Sequence, residues 1–278
     1  MPDTATNKPA PAPIFGKKKA PVKPVRKPYL KGAPWSKGSL RRVLKVFGTI
    51  AAFVLIALFF GGTAGMGSTF LRWLINGVLL LGFWYVLFAE GVADGDSDVA
   101  LGEINYQRVQ EGKTVSETDR KRGFHPLKGF LNAFLGALPF MILMLIYAVN
   151  AEKQVYTLQS LPSWVTSYQG VEEIGGGLGY YNVHAEAGLT DYLRVFTRLV
   201  CMPYVNLVST KNADALLLLD RLSPLTMLPP ILALGLGYLR GPHSRAMVHG
   251  NIQANNRRRA RRERKLIRKR SSAPREIV

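Results

Sequence analysis

The stretch VFGTIAAFVLIALFF, residues 46–60, decides the fold. It carries no charge, and Thr49 is its one hydroxyl. A backbone placed in hydrocarbon finds no water, so its amides and carbonyls must bond one another, and a single segment does this only as a helix. Extended back to Val43, the run approaches the roughly 20 residues that cross about 30 Å of hydrocarbon. Its basic flank is some 45 residues long, far beyond a secretory n-region, so the run is expected to stay as an anchor and not to be cleaved.

Three further apolar runs follow. Residues 69–89 include FLRWLINGVLLLGFWYVLFA, with Arg72 and Trp73 near the start, where a snorkelling cation and an indole suit an interface. The eight residues GGTAGMGS, 61–68, all small but Met66, allow only a tight return, so 43–89 is expected as an antiparallel transmembrane hairpin. Residues 128–149 (KGFLNAFLGALPFMILMLIYAV) form a third run, and 222–239 (LSPLTMLPPILALGLGYL) a fourth, interrupted by Pro224, Pro229 and Pro230.

Charge fixes the orientation. The chain has 278 residues and a formal charge of +19, with 47% hydrophobic residues. Residues 1–45 hold 12 Lys/Arg against Asp3, and residues 240–278 hold 13 against Glu263 and Glu276. The remainder is slightly acidic. This segregation excludes a collagen-like chain, a disulfide scaffold and an ordinary soluble enzyme. Basic flanks stay on the cytoplasmic side, so two basic tails require an even number of crossings. Four crossings place 1–42 inside as a Pro/Lys-rich tail, 90–127 inside as a loop, 150–221 outside, and 240–278 inside as an Arg-rich tail. The expectation is therefore an all-α integral membrane protein with four transmembrane helices. It also has an outer amphipathic helix and disordered basic tails, in a prokaryotic inner membrane with both termini cytoplasmic.

Residues 189–209, LTDYLRVFTRLVCMPYVNLVS, would bring Asp191, Arg194 and Arg198 into lipid if they spanned. At helical spacing these three share one face, opposite Leu193, Phe196, Leu199 and Val200, which favours a helix lying in the outer interface over a fifth span or a re-entrant loop. The aromatics Tyr156, Trp164, Tyr168, Tyr180, Tyr181, Tyr192, Phe196 and Tyr204 suit a cap on the headgroup region.

A catalytic constellation does not emerge. Cys201 stands alone, which precludes an intrachain disulfide and a Cys-based metal cluster. His125, His184, His243 and His249 form no HExxH pattern. Gly175–Gly177 with Gly179 completes neither phosphate-loop motif, and Glu172 and Glu173 would repel phosphate. Asp94, Asp96 and Asp98 resemble the start of a calcium loop, but Asn105 stands where its terminal Glu would be needed. No cofactor or metal is expected. A membrane enzyme would have to use Asp94, Asp96 and Asp98 with His125.

Polar residues inside apolar runs are the better pointers. Asn76 and Asn132 lie at different depths, so each is expected to bond a neighbouring backbone. Gly129, Ala133, Gly136 and Ala137 make a small-residue packing face. Pro229 and Pro230 free carbonyls near Leu225 and Thr226, which Ser223 and Thr226 could re-satisfy. A kinked packing helix is the expectation there, and a solute path the rival.

The tails carry the clearest functional signal. Residues 7–34 favour extended polyproline II. Residues 254–270, ANNRRRARRERKLIRKR, hold Arg257, Arg258, Arg259, Arg261, Arg262, Arg264, Lys265, Arg268, Lys269 and Arg270, in a composition that also suits a charged helix. Anionic membrane lipid is the favoured partner, at about 1 kcal/mol per cation. A protein partner follows. Nucleic acid or the ribosome comes last, since the run has no aromatic residue to stack on a base. The sequence thus points to a non-enzymatic scaffold or complex subunit, with a small-solute transporter as the alternative.

Overall fold

The computed structural model describes residues 23–60, 68–152, 168, 171, 188–208 and 213–271. Most of these residues are helical, with no strand among them. The helices are α1 (Ser39–Phe59), α2 (Thr69–Gln110), α3 (Glu117–Lys121), α4 (Pro126–Val149), α5 (Leu189–Val200), α6 (Met202–Val208), α7 (Ala213–Leu222), α8 (Leu228–Leu239) and α9 (Gly241–Ser271), with a 3-10 turn, Ser223–Met227, between α7 and α8. Lys27–Arg245 forms one compact unit, and the described flanks 23–26 and 246–271 belong to a second.

Four helical stretches are long and apolar enough to cross a membrane: α1, α2, α4 and one within Asp214–Ile267. All four expected runs therefore contribute to helices of spanning character. The side chains of α1 and α4 pack on each other, and α8 is wedged between α2 and α4. Ile50, Val54, Phe83, Leu87, Ala137, Met144, Met227 and Leu234 fill the centre. The α1–α2 pairing is antiparallel: the start of α1 (Arg42) meets the second half of α2 (Asp98). The connecting turn, 61–67, lies outside the described residues, as do residues 1–22 and the aromatics Tyr156, Trp164, Tyr180 and Tyr181.

Several elements differ from the sequence reading. The expected loop 90–127 is a continuation of α2 as far as Gln110, then α3 and the approach to α4. With 42 residues, α2 is about 63 Å long, twice the hydrocarbon thickness. The fourth run is preceded by α7 and a 3-10 turn, which puts Pro229 and Pro230 in the first turn of α8. A missing amide is harmless there, because first-turn amides have no partner inside the helix. Residues 189–209 divide at Cys201 into helices of 12 and 7 residues, both too short to cross a bilayer. The Arg-rich stretch expected to be disordered is helical in α9 as far as Ser271.

The N-terminal segment is also more ordered than its composition implies. Leu30 donates its amide to the Gly102 carbonyl (3.1 Å), Gly32 to Phe124 (2.9 Å) and Ala33 to Lys121 (3.2 Å). Residues 27–33 form a strap over the second half of α2 and the start of α4. In the other unit, Val25 donates to the Ala246 carbonyl at 2.9 Å.

Candidate functional site

The densest polar structure in the main unit is built on Asp98, in the second half of α2. Asp98 is 1% exposed, as are Lys128 on α4 and Tyr238 on α8. Arg42, on the first turn of α1, grips the carboxylate with both terminal nitrogens: Nη1 to Oδ2 and Nη2 to Oδ1, each at 2.7 Å. Lys128 Nζ lies 3.0 Å from Oδ2, and Tyr238 donates its hydroxyl to the same oxygen at 2.6 Å. One carboxylate thus ties together α1, α2, α4 and α8.

Hydrogen-bonding capacity is filled on the lysine side. An ammonium has three donors. Those of Lys128 reach Asp98, the Arg122 carbonyl (2.9 Å) and the Gly123 carbonyl (3.3 Å). Arg42 is shared with Asp94, whose Oδ2 lies 3.6 Å from Nε. Two cations and two carboxylates leave the cluster formally neutral. Above it Tyr238 stacks on Phe124 with centroids 5.1 Å apart, and Tyr29 of the strap meets Phe124 edge-on at 6.0 Å. Flanking pairs add Glu90, with Thr49 at 3.3 Å and Lys45 at 3.6 Å, and Glu103, with Arg245 at 3.2 Å. By contrast the Glu117–Lys121 pair on α3 is fully exposed, and the adjacent ammonium draws the Glu117 carboxyl below its usual range.

The helix pair that carries the cluster meets through glycine. On α2, a Cβ at Gly91 would lie 2.2 Å from the Leu234 carbonyl oxygen. A Cβ at Gly237 would lie 2.1 Å from the Phe88 oxygen, and one at Gly241 2.3 Å from the Gly95 carbonyl carbon. Gly91-x-x-x-Gly95 faces Gly237-x-x-x-Gly241, so two small-residue faces bring the backbones into contact.

A second polar group occupies the other end of α4. Asp220 on α7 accepts from Tyr147 (3.0 Å) and from Arg198 on α5 (2.8 Å). Lys128 and Tyr147 are 19 residues apart on one helix, about 28 Å, and no charged residue stands between them.

The residues singled out from sequence are distributed as follows. Asn76 is buried, donates to the Arg72 carbonyl (2.8 Å) and accepts from Asn206 Nδ2 of α6 (3.1 Å). Asn132 is buried elsewhere, on α4. Ser223 donates to the Asp220 carbonyl (2.8 Å) and Thr226 to the Ser223 carbonyl (2.6 Å), so both stitch the 3-10 turn and not the carbonyls near Leu225. Cys201 is buried against Thr226 at 3.3 Å. Thr226 and Pro230 line an apolar cavity of about 10 Å³. Pro229 is half-buried beside it in the same helical turn. Gly129 lies against Tyr238 and Gly136 against Val46. Arg257, Arg258, Arg259, Arg261, Arg262, Arg264 and Lys265 are exposed on α9, and the side chains of Arg268, Lys269 and Arg270 lie outside the described residues. His125 caps α4 through its Nδ1, accepting from the Leu127 amide at 3.3 Å. Among the described residues no three His, Cys, Asp or Glu side chains converge as metal ligands.

Sequence reasoning missed the role of Arg42, Lys128, Tyr238 and the four facing glycines. The readable signals were a lysine opening an apolar run and two GxxxG spacings. One of the two GxxxG spacings falls in the expected loop 90–127, where no helix face is anticipated.

Among the described residues, the fold and cluster define an all-helical protein with four helical stretches long and apolar enough to cross a membrane and a buried ionic clasp. The chain matches no family model, no curated protein and no solved structure.

Proposed function

We propose that this chain is a non-enzymatic, multi-pass scaffold or complex subunit of the cell membrane, with both termini cytoplasmic and its Arg-rich helix as a tether to anionic lipid. The observation that carries this reading is the burial of Asp98 among four donors from three other helices. This carboxylate is 1% exposed and holds a bidentate guanidinium, an ammonium and a phenol, so the side chains packed around it leave a substrate or a metal no approach. Such a group holds helices in register. The uncharged 28 Å of α4 between Lys128 and Tyr147 supports insertion, since it matches one hydrocarbon thickness. The cavity beside Pro230 holds one water at most, which favours packing over a solute path for the proline segment.

The exposed arginines of α9 present bidentate donors suited to phosphate. Full-length protein in neutral phosphatidylcholine vesicles is expected to gather vesicles containing anionic phosphatidylglycerol. Deletion of 254–278, or high salt, is expected to abolish this, because electrostatic attraction to a charged leaflet is screened. Undiminished clustering by the truncated chain would remove the tether. Reporter fusions finding the two ends on opposite faces would remove the topology.

A further inference from the structure

A cavity of about 430 Å³ opens where α4 ends and α5 and α7 approach it. This is within the range of small-ligand sites. Its lining is mostly polar and includes Arg194, Arg221, Glu152, Thr190 and Asn150. Arg194 is ion-paired with Asp191 one turn away. Arg221 is exposed and makes no ion pair with any described carboxylate, while the neighbouring Asp220 is committed to Tyr147 and Arg198. The cavity therefore offers a guanidinium for an anion and, in Glu152, a carboxylate for a cation.

The surroundings are apolar. Val149, which lines the cavity, is 79% exposed, and Leu189, next to Thr190, is 75% exposed. Leu222, next to Arg221, is also exposed. A polar pocket rimmed by exposed aliphatic side chains fits an amphiphile better than a soluble metabolite. A simple anion would meet Glu152 unfavourably, and a quaternary ammonium could give that carboxylate no hydrogen bond.

We infer that this cavity binds the headgroup of a phospholipid bearing a primary amine, with its phosphate on Arg221 and Arg194 and its ammonium on Glu152. The inference rests on the membrane reading above, placing the site about one hydrocarbon thickness from the Asp98 cluster.

The test uses the full chain purified in a mild detergent, with bound lipid counted by native mass spectrometry. Phosphatidylethanolamine is expected to bind about tenfold more tightly than phosphatidylcholine or phosphatidylglycerol. Arg221→Ala is expected to weaken all three. Glu152→Gln is expected to remove the preference for ethanolamine over choline while leaving phosphate binding in place. Neither side chain has a described structural partner, so both variants should fold. Equal binding of the three lipids by the parent, or unchanged ethanolamine binding in both variants, would overturn the assignment. Displacement by free phosphoethanolamine at comparable concentration would assign the cavity to a soluble ligand and overturn the lipid. Alkaline extraction of native membranes reports on insertion separately, so loss of the membrane reading and loss of the site are told apart.

Discussion

Gly95 of α2 passes so close to Tyr238 of α8 that a methyl group on Gly95 would stand 2.4 Å from the Tyr238 carbonyl oxygen. The same Tyr238 donates its hydroxyl to Asp98, less than one helical turn further along α2. The glycine contact thus sets the distance at which the phenol can reach the carboxylate. Close backbone approach and the ionic clasp are two parts of one helix–helix joint.

Gly95→Ala is therefore expected to push α8 away and destabilise the fold by about 1–3 kcal/mol, the scale of overpacking in a tight core. Gly82 sits in the same helix with nothing within 4 Å of its built Cβ. Gly82→Ala is expected to be neutral or stabilising, by up to about 1 kcal/mol, since alanine is the better helix former. Thermal unfolding of the two variants side by side checks this. Equal effects would mean that the α2–α8 contact does not set the stability.

Asp98→Asn removes the only carboxylate that Lys128 contacts among the described residues and one of the two near Arg42. A buried ammonium and a partly buried guanidinium then face each other across a neutral amide, and the expected loss is about 3–5 kcal/mol. Lys128→Met is expected to be milder, about 1–3 kcal/mol. It keeps the Arg42–Asp98 pair and leaves only the Arg122 and Gly123 carbonyls short of a donor. Denaturant titration of both variants gives the order. A more damaging Lys128→Met would show that the ammonium, not the carboxylate, is the keystone.

How far this joint could be read from sequence depends on which forces left a local mark. The run 46–60 declares itself because hydrocarbon leaves a charge-free backbone only one solution. Residues 90–103, EGVADGDSDVALGE, declare the opposite: glycine and aspartate are poor helix formers, and a loop is the locally consistent reading. They are helical because several of the weak residues are compensated at long range. Gly91 and Gly95 meet α8, Gly102 meets the strap at Leu30, and Asp98 meets Arg42, 56 positions away in sequence. No spacing rule within one segment encodes such a partner. Asn76 presented the same difficulty: its burial was legible, but Asn206 as its partner was not. In the candidate lipid cavity, Arg194 was visible only as part of a polar face, because Glu152 and Arg221 are brought to it by the ends of other helices.

Pro229 and Pro230 test the packing reading against the solute path. Both lie in the first turn of α8, where no amide is required. Pro229→Ala is expected to change stability by less than about 1 kcal/mol, as surface-like substitutions do. The double change Pro229→Ala with Pro230→Ala should leave reconstituted vesicles with the same permeability to a panel of small solutes as the parent. Solute flux by the parent that is lost in the double variant would instead favour transport.

The strap gives the last prediction. Gly32 lies against α4's approach so closely that a Cβ there would stand 2.1 Å from the Gly123 carbonyl oxygen, a rigid backbone atom that cannot swing aside. Gly32→Val must therefore lift residues 27–33 and release the amide bonds of Leu30 and Gly32. Lys31 would then enter a protease in extended form, so trypsin is expected to cut after it several-fold faster, whereas Lys27 is protected by Pro28 in either state. Cleavage of this kind follows the population of locally opened chain. The helices should persist, because the α1–α4 and α2–α8 contacts do not pass through the strap. Circular dichroism unchanged beside faster cleavage would identify a docked, separable arm. Loss of helix content together with cleavage would show instead that Tyr29, seated on Phe124, is needed to keep the Asp98 cluster closed.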